Sequence, residues 1–293
     1  NRVWALHIDK NNTIWAGTYQ GGLNRIEYCN GSYTFNHYLH DEKKPNSISS
    51  NHINAIMEDA EGTLWVATAN GLNKLVKNNE LPSSYTFISY MYNKSDSAIF
   101  VDNYVNSIIQ DRKGRIWIGS YQSGLFQFDP HTEQFNRFLP NTADSLEFQK
   151  NLNLLTIFED SFGNFWVGTE SKGLLLFDIE NRTYTNHPNN DILSKNMILG
   201  IVEDDIGGIW IVSTRGLSRY SPKDDSFNNY TIVDGLESDG FNRNAYHKTS
   251  EGQLFFGSNG AITYFFPQEV INNPHIPNTV LTDFKVLNSS IWD

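Results

Sequence analysis

Eight histidines, one cysteine and a series of Asp-x-x-Gly turns are the groups in this 293-residue sequence that could ligate a metal or attack a substrate. Cys29 stands alone, so it can neither close an internal disulfide nor build a zinc site. The histidines are His7, His37, His40, His52, His131, His187, His247 and His275, and no metal-ligand pair stands out among them. Turns such as Asp111-Arg112-Lys113-Gly114 lack the alternating acidic ligands and terminal Glu of a calcium loop, and read as hairpin turns. No nucleophile elbow and no Gly-rich phosphate loop is present. No catalytic residue, metal or cofactor is therefore expected. A different chemistry remains, that of rings, amides and isolated charges: Trp4, Tyr19, Gln20, Tyr104, Tyr121, Gln122, Glu170, Lys172, Arg215, Asn242 and Arg243. Aromatic rings stack on the C–H face of a sugar, and amides or charges bind its hydroxyls.

These side chains do not recur along the chain, but the segments around them do. Ile14-Trp15-Ala16-Gly17-Thr18 returns as Leu64-Trp65-Val66-Ala67-Thr68, Ile116-Trp117-Ile118-Gly119-Ser120, Phe165-Trp166-Val167-Gly168-Thr169, Ile209-Trp210-Ile211-Val212-Ser213 and Leu254-Phe255-Phe256-Gly257-Ser258. A Gly-Leu pair follows each of the first five copies, for example Gly22-Leu23 and Gly124-Leu125. An acidic turn precedes most copies, as in Glu159-Asp160-Ser161-Phe162-Gly163. An apolar segment before the turn (Ile53-Asn54-Ala55-Ile56) and an aromatic one after Gly-Leu (Tyr33-Thr34-Phe35) complete a unit of four short strands. The repeat of about 45–50 residues is the size of a propeller blade.

The expected fold is therefore all-β: a β-propeller of four-stranded antiparallel blades, with six repeats present and an intact ring of seven. The repeated aromatics belong between blades as apolar wedges, and the small residue two positions on leaves room for them. The last unit lacks a clear fourth strand after Phe266, so an exposed edge is expected there. The propeller is assigned to residues 1–273. Residues 274–293 are assigned to the first strand of a following domain, unpaired or paired with a neighbouring chain.

Composition excludes some partners. The net charge is −11, and Lys and Arg occur singly. Nucleic acid needs a stripe of positive charge to displace counterions, so none is expected to bind, and an anionic membrane surface is disfavoured likewise. No apolar run reaches the roughly 18 residues of a membrane span. The chain opens without a signal peptide, so any export signal or membrane segment is expected to lie outside it.

In a propeller, the loops entering the innermost strands share a face with the loops between second and third strands. Aligning the repeats puts Arg2, His52, Tyr104, Asn153, Met197 and Asn242 just before the inner strands. Two positions on lie Trp4, Asn54, Asn106, Leu155, Leu199 and Asn244. The other loops add Tyr19, Gln20, Asn70, Tyr121, Gln122, Glu170, Lys172, Arg215 and Asn259. Unrepeated aromatics and amides on a shared face are candidates for recognition. Arg215, Lys172 and Arg243 together would suit an acidic sugar. Two other readings stay open. A glycan lyase or hydrolase would show a clustered His–Glu–Arg group in the channel, and a passive protein scaffold a contiguous exposed apolar patch.

The repeats resemble the two-component-regulator propeller repeat, of the form Ile-x-Glu-Asp-x-x-Gly-x-Leu-Trp-Val-Gly-Thr-x-x-Gly-Leu. Asp234-Gly235-Leu236-Glu237-Ser238-Asp239-Gly240-Phe241-Asn242-Arg243-Asn244-Ala245 is similar to the last blade of that family. Thr279-Val280-Leu281-Thr282-Asp283-Phe284-Lys285-Val286 looks like the first strand of the Ig-like domain that follows it. Ala67 and Val212 depart from the usual Gly. The resemblance implies the periplasmic sensor region of a hybrid two-component system of the Bacteroides type, here its second propeller. It implies an oligosaccharide ligand, a homodimer in the intact protein, and a membrane segment and histidine kinase outside this chain.

Overall fold

The computed structural model describes residues 2–77, 85–91, 103–138, 152–187, 193, 196–270, 285–286 and 289–290. Blade 1 comprises β1 (Val3–Ile8), β2 (Ile14–Thr18), β3 (Leu23–Cys29) and β4 (Ser32–Tyr38). Blade 2 comprises β5 (Ile53–Glu58), β6 (Leu64–Thr68), β7 (Gly71–Lys77) and β8 (Tyr85–Tyr90). Blade 3 comprises β9 (Val105–Gln110), β10 (Ile116–Ser120), β11 (Gly124–Asp129) and β12 (Gln134–Phe138). Blade 4 comprises β13 (Leu154–Glu159), β14 (Phe165–Thr169), β15 (Leu174–Asp178) and β16 (Thr183–Asn186). Blade 5 comprises β17 (Ile198–Glu203), β18 (Ile209–Ser213), β19 (Gly216–Ser221) and β20 (Ser226–Tyr230). Blade 6 comprises β21 (Phe241–Lys248), β22 (Leu254–Ser258) and β23 (Ile262–Phe265), three strands followed by a 3₁₀ turn at Pro267–Glu269. Within each blade, neighbouring strands pair antiparallel in chain order. Among the described residues no helix is long and apolar enough to cross a membrane.

The core lies between blades, as the repeated tryptophan implies. Trp15 packs with Ile53, Val66 and Phe87 of blade 2, and Trp65 with Val105, Ile118 and Phe128 of blade 3. Trp117, Trp166 and Trp210 do the same against blades 4, 5 and 6. All five indoles are fully buried. Phe255, the sixth copy, is not a buried wedge: it is half-buried and stacks on Tyr264 at 5.5 Å between centroids.

A buried indole N–H needs a partner. In five blades the partner is the Asp of the preceding turn. Asp9, Asp59, Asp111, Asp160 and Asp204 accept from Trp15, Trp65, Trp117, Trp166 and Trp210 at 2.7–2.9 Å through Oδ2. The other carboxylate oxygen takes two main-chain N–H groups of the same turn, as Asp160 does from Phe162 and Asn164. The Asp-x-x-Gly sequence is thus more than a turn signal, because its carboxylate also fixes the wedge. In blade 6 Phe255 has no indole N–H, and the turn residue is Thr249, whose side-chain hydroxyl accepts from Gln253 N at 3.1 Å.

A second repeated contact joins successive blades. Lys10 N, Ala60 N, Arg112 N and Ser161 N, each one residue past the turn Asp, donate to Glu58, Gln110, Glu159 and Glu203 at 2.7–2.9 Å. Each acceptor ends the inner strand of the next blade.

The small residues also follow from packing. A Cβ at Gly168 would sit 2.7 Å from Ile198 Cγ2 of blade 5. Val212 occupies the equivalent position in blade 5, and there its cross-strand partner is Gly200, where the other blades have Ala5, Ala55, Ser107 and Thr156. The volume has moved across the pair, and the ring of Tyr246 from blade 6 fills the space over Gly200.

β21 neighbours β1, so the six blades form a ring. The seam is less covered than the other junctions. Leu6 and Ile8 on β1 are 69% and 61% exposed, and Ile262 and Tyr264 on β23 are 66% and 61% exposed. This is the expected exposed edge. The tail assigned to 274–293 lies outside the described residues, apart from a ladder of Lys285–Val286 with Ser289–Ser290.

Candidate functional site

One main-chain contact per blade builds the channel mouth. The loop after each second strand donates its first N–H to the carbonyl just before the inner strand. The pairs are Tyr19 to Arg2 (2.9 Å), Ala69 to His52 (3.0 Å), Tyr121 to Tyr104 (3.0 Å), Glu170 to Asn153 (3.0 Å) and Thr214 to Met197 (3.2 Å). These bonds place the two sets of loop residues side by side. In blade 6 the acceptor is Gly240, contacted by Asn259 N at 3.3 Å. The sequence alignment that set Asn242 level with Arg2 is therefore corrected: Gly240 holds that place.

The reason is a bulge. In blade 1 the ladder passes from Val3↔Thr18 to Leu6↔Ala16, with Trp4 and Ala5 between. In blade 6 it passes from Phe241↔Ser258 to Tyr246↔Phe256, with residues 242–245 between. Four residues fill the span of two, so the strand bends away from its ladder. Asn244 takes a positive φ of 58° within this segment. The bulge sends Arg243 and Asn244 across the ring. Arg243 donates from Nη1 to Asn106 Oδ1 (2.9 Å) and from Nη2 to Asn106 O (2.8 Å) and Leu155 O (3.1 Å). Asn244 Nδ2 reaches Asn54 O at 2.9 Å.

Smaller bulges in the other inner strands give their residues a different task. Asn54 Nδ2 donates to Val105 O at 2.7 Å, and Asn106 Nδ2 to Leu154 O at 2.8 Å, each bridging to the next blade. These amides hold the channel wall together.

On blades 1 to 3 the rim is a continuous arc of rings. Trp4 meets Tyr19 at 4.9 Å and His52 at 4.7 Å between centroids, and Tyr19 meets His52 at 4.4 Å. His52 lies 5.5 Å from Tyr104, which lies 5.6 Å from Tyr121. His52 Nε2 and Tyr104 Oη are 3.3 Å apart. His52 was not among the sequence-predicted site residues, although it stands at the centre of the arc. Its alignment with Arg2 and Tyr104 was the available signal.

Burial governs the charges here. It lowers the His52 pKa, and the nearby Arg243 cation lowers it further. Neutral imidazole is therefore favoured in the arc. Burial raises the Tyr104 pKa against the opposing pull of Arg243. Burial pushes Arg243 itself down to about 10.

Of the sequence-predicted residues, Trp4, Tyr19, Tyr104 and Tyr121 come together in the arc. Asn242 and Arg243 join Trp4 around a cleft of about 760 Å³ between β1 and β21. Glu170 is half-buried and accepts from Asn153 Nδ2. Lys172 is half-buried, while Gln20, Gln122 and Arg215 are exposed on their loops.

The two component regulator propeller family matches residues 1–20, 47–70, 99–122 and 149–171. The chain is also 24% identical to the Histidine kinase P4 of Formosa agariphila, over 99% of this chain and 24% of that protein. It therefore spans about a quarter of that relative's length. Among solved structures, the extracellular domain of a putative hybrid two component system from B. thetaiotaomicron superposes with a TM-score of 0.58 at 20% identity. That match covers 91% of this chain and 42% of the other. A virginiamycin B lyase from Staphylococcus aureus superposes with a TM-score of 0.60 at 13% identity, covering 92% and 85%. At these identities the structural likenesses speak for the fold, a propeller. The two component regulator propeller repeat is itself matched within each of the first four blades.

Proposed function

We propose that the chain is the extracytoplasmic ligand-sensing module of a hybrid histidine kinase and response regulator, and that it binds an oligosaccharide without altering it. The aromatic arc carries this reading. Rings from three blades stand edge to edge at one channel mouth, in residues that the repeat does not require for packing. Such a surface offers successive faces to a chain of sugar rings, and amides beside them to bind hydroxyls. The kinase relative, of which this chain spans about a quarter, supports a sensor within a longer signalling protein. The intact protein then sits in the inner membrane as a homodimer, with this module in the periplasm.

A thermal-shift screen against a glycan library tests the proposal. A cognate oligosaccharide raises the melting temperature by mass action, and calorimetry then gives its affinity. No stabilisation by any saccharide would overturn the ligand class. Chromatography of the bound sugar after long incubation tests the non-catalytic part, and cleaved product would replace the sensor with a lyase or hydrolase.

A further inference from the structure

The cleft at the seam has a composition at odds with the rest of the molecule. The chain carries a net charge of −11. Yet the cleft is lined by Arg2 and Arg243, by Asn242, Asn244 and Asn259, and by Trp4, and no carboxylate lines it. Its volume of about 760 Å³ falls within the range of about 300–1,000 Å³ typical of small-ligand sites.

Arg243 is the unusual member. Its three hydrogen bonds go to a side-chain amide and two main-chain carbonyls, all neutral. Its Nε is buried and has no partner among the described residues. It forms no ion pair with any described carboxylate. A guanidinium has five N–H donors, so one Nη1 hydrogen is left over, and the Glu170 carboxylate supports the charge through space without forming an ion pair. A buried cation held in this way is costly unless an anion completes the site. A carboxylate can take the remaining Nη1 hydrogen of Arg243 with one oxygen and the Arg2 guanidinium with the other.

Trp4 belongs both to the cleft and to the aromatic arc. A saccharide lying along the arc therefore has its end delivered into the cleft. We infer that the ligand is an acidic saccharide, a uronate-type sugar whose carboxylate pairs with Arg243 and Arg2 while its ring lies against Trp4. This rests on the oligosaccharide-binding reading and adds the charge of the terminal sugar.

The test uses matched pairs of oligosaccharides: galacturonate, alginate and glycosaminoglycan fragments, each beside its carboxyl-reduced neutral form. Calorimetry should find binding among the acidic members and at least about a tenfold loss on carboxyl reduction. Affinity should fall as NaCl rises, because the pairing is partly exposed at Arg2. Arg2→Gln, at an exposed position, should weaken binding about fivefold at an unchanged melting temperature. Arg243→Gln should weaken it further; if that variant does not fold, Arg2→Gln carries the test. Equal binding of acid and neutral partners, or unchanged affinity in folded variants of both arginines, would overturn the inference and leave the oligosaccharide reading standing. Binding of only sulfated fragments, indifferent to carboxyl reduction, would overturn the carboxylate assignment. Binding of no saccharide at all would overturn both readings together.

Discussion

Arg243 on β21 grips Asn106 on β9 by two oxygens at once, the side-chain Oδ1 at 2.9 Å and the main-chain O at 2.8 Å. Blade 6 and blade 3 lie opposite each other in the ring, so this contact spans the channel. Asn106 then passes the link on, donating its Nδ2 to Leu154 O of blade 4 at 2.8 Å. One buried amide thereby ties three blades. Asn106→Ala would leave a guanidinium N–H and a carbonyl without partners. It should lower the unfolding free energy by about 2–4 kcal/mol, measured as a shift in denaturant midpoint at constant m-value. A loss below about 0.5 kcal/mol would mean that the span contributes nothing to holding the ring.

The Asp–Trp staple predicts a graded effect. Asp160→Ala strands the indole N–H of Trp166 and the N–H groups of Phe162 and Asn164. The expected cost is about 3–5 kcal/mol, since buried groups lose a charged acceptor. Thr249→Ala in blade 6 removes one weaker bond and should cost about 1 kcal/mol. Equal losses in the two variants would show that the carboxylate is dispensable.

The exchange of volume in blade 5 can be transplanted. Gly168→Val in blade 4 should destabilise by about 1–3 kcal/mol, because its side chain meets Ile198 of the next blade. Adding Thr156→Gly recreates the Gly200/Val212 pair of blade 5 and should recover part of that loss. A double-mutant cycle without positive coupling would refute the compensation.

His52 makes stability depend on pH. Its folded pKa lies below the value of about 6.5 expected when unfolded, through burial first and the Arg243 cation second. Between those two values the unfolded chain binds the extra proton, so stability rises with pH across the window. Its contribution is therefore complete above about 6.5 and is lost as pH falls through the lower, folded value. Melting curves from pH 5 to 8 should show this slope flattened in His52→Phe. An identical pH profile in the variant would remove His52 as its source.

Ligand affinity should concentrate in the arc. Trp4→Ala and Tyr121→Ala each should weaken oligosaccharide binding by about 1–3 kcal/mol with little change in melting temperature, because neither ring belongs to a core cluster. Calorimetry with the sugar found by the screen is the measurement. Unchanged affinity in both would move the site off this rim.

The repeat was legible in the sequence because packing between blades imposes the same demand at every junction. A large wedge at Trp15, Trp65, Trp117, Trp166 and Trp210, small residues opposite, and a turn Asp to hold the indole all recur at fixed offsets. Strand count, blade order and the buried set follow from that local pattern. The contacts that cross the ring do not recur, and no local pattern announces them. The displacement of blade 6 depends on two extra residues before Tyr246, which a ladder reveals and a motif does not. The path of Arg243 to Asn106 and the gathering of Trp4, Tyr19, His52, Tyr104 and Tyr121 depend on how blades far apart in the chain face one axis. Sequence fixed which residues were free of packing duty, since free positions vary while packed ones repeat. Tertiary structure decided which of those free residues meet, because only closure of the ring brings separate blades to a common mouth.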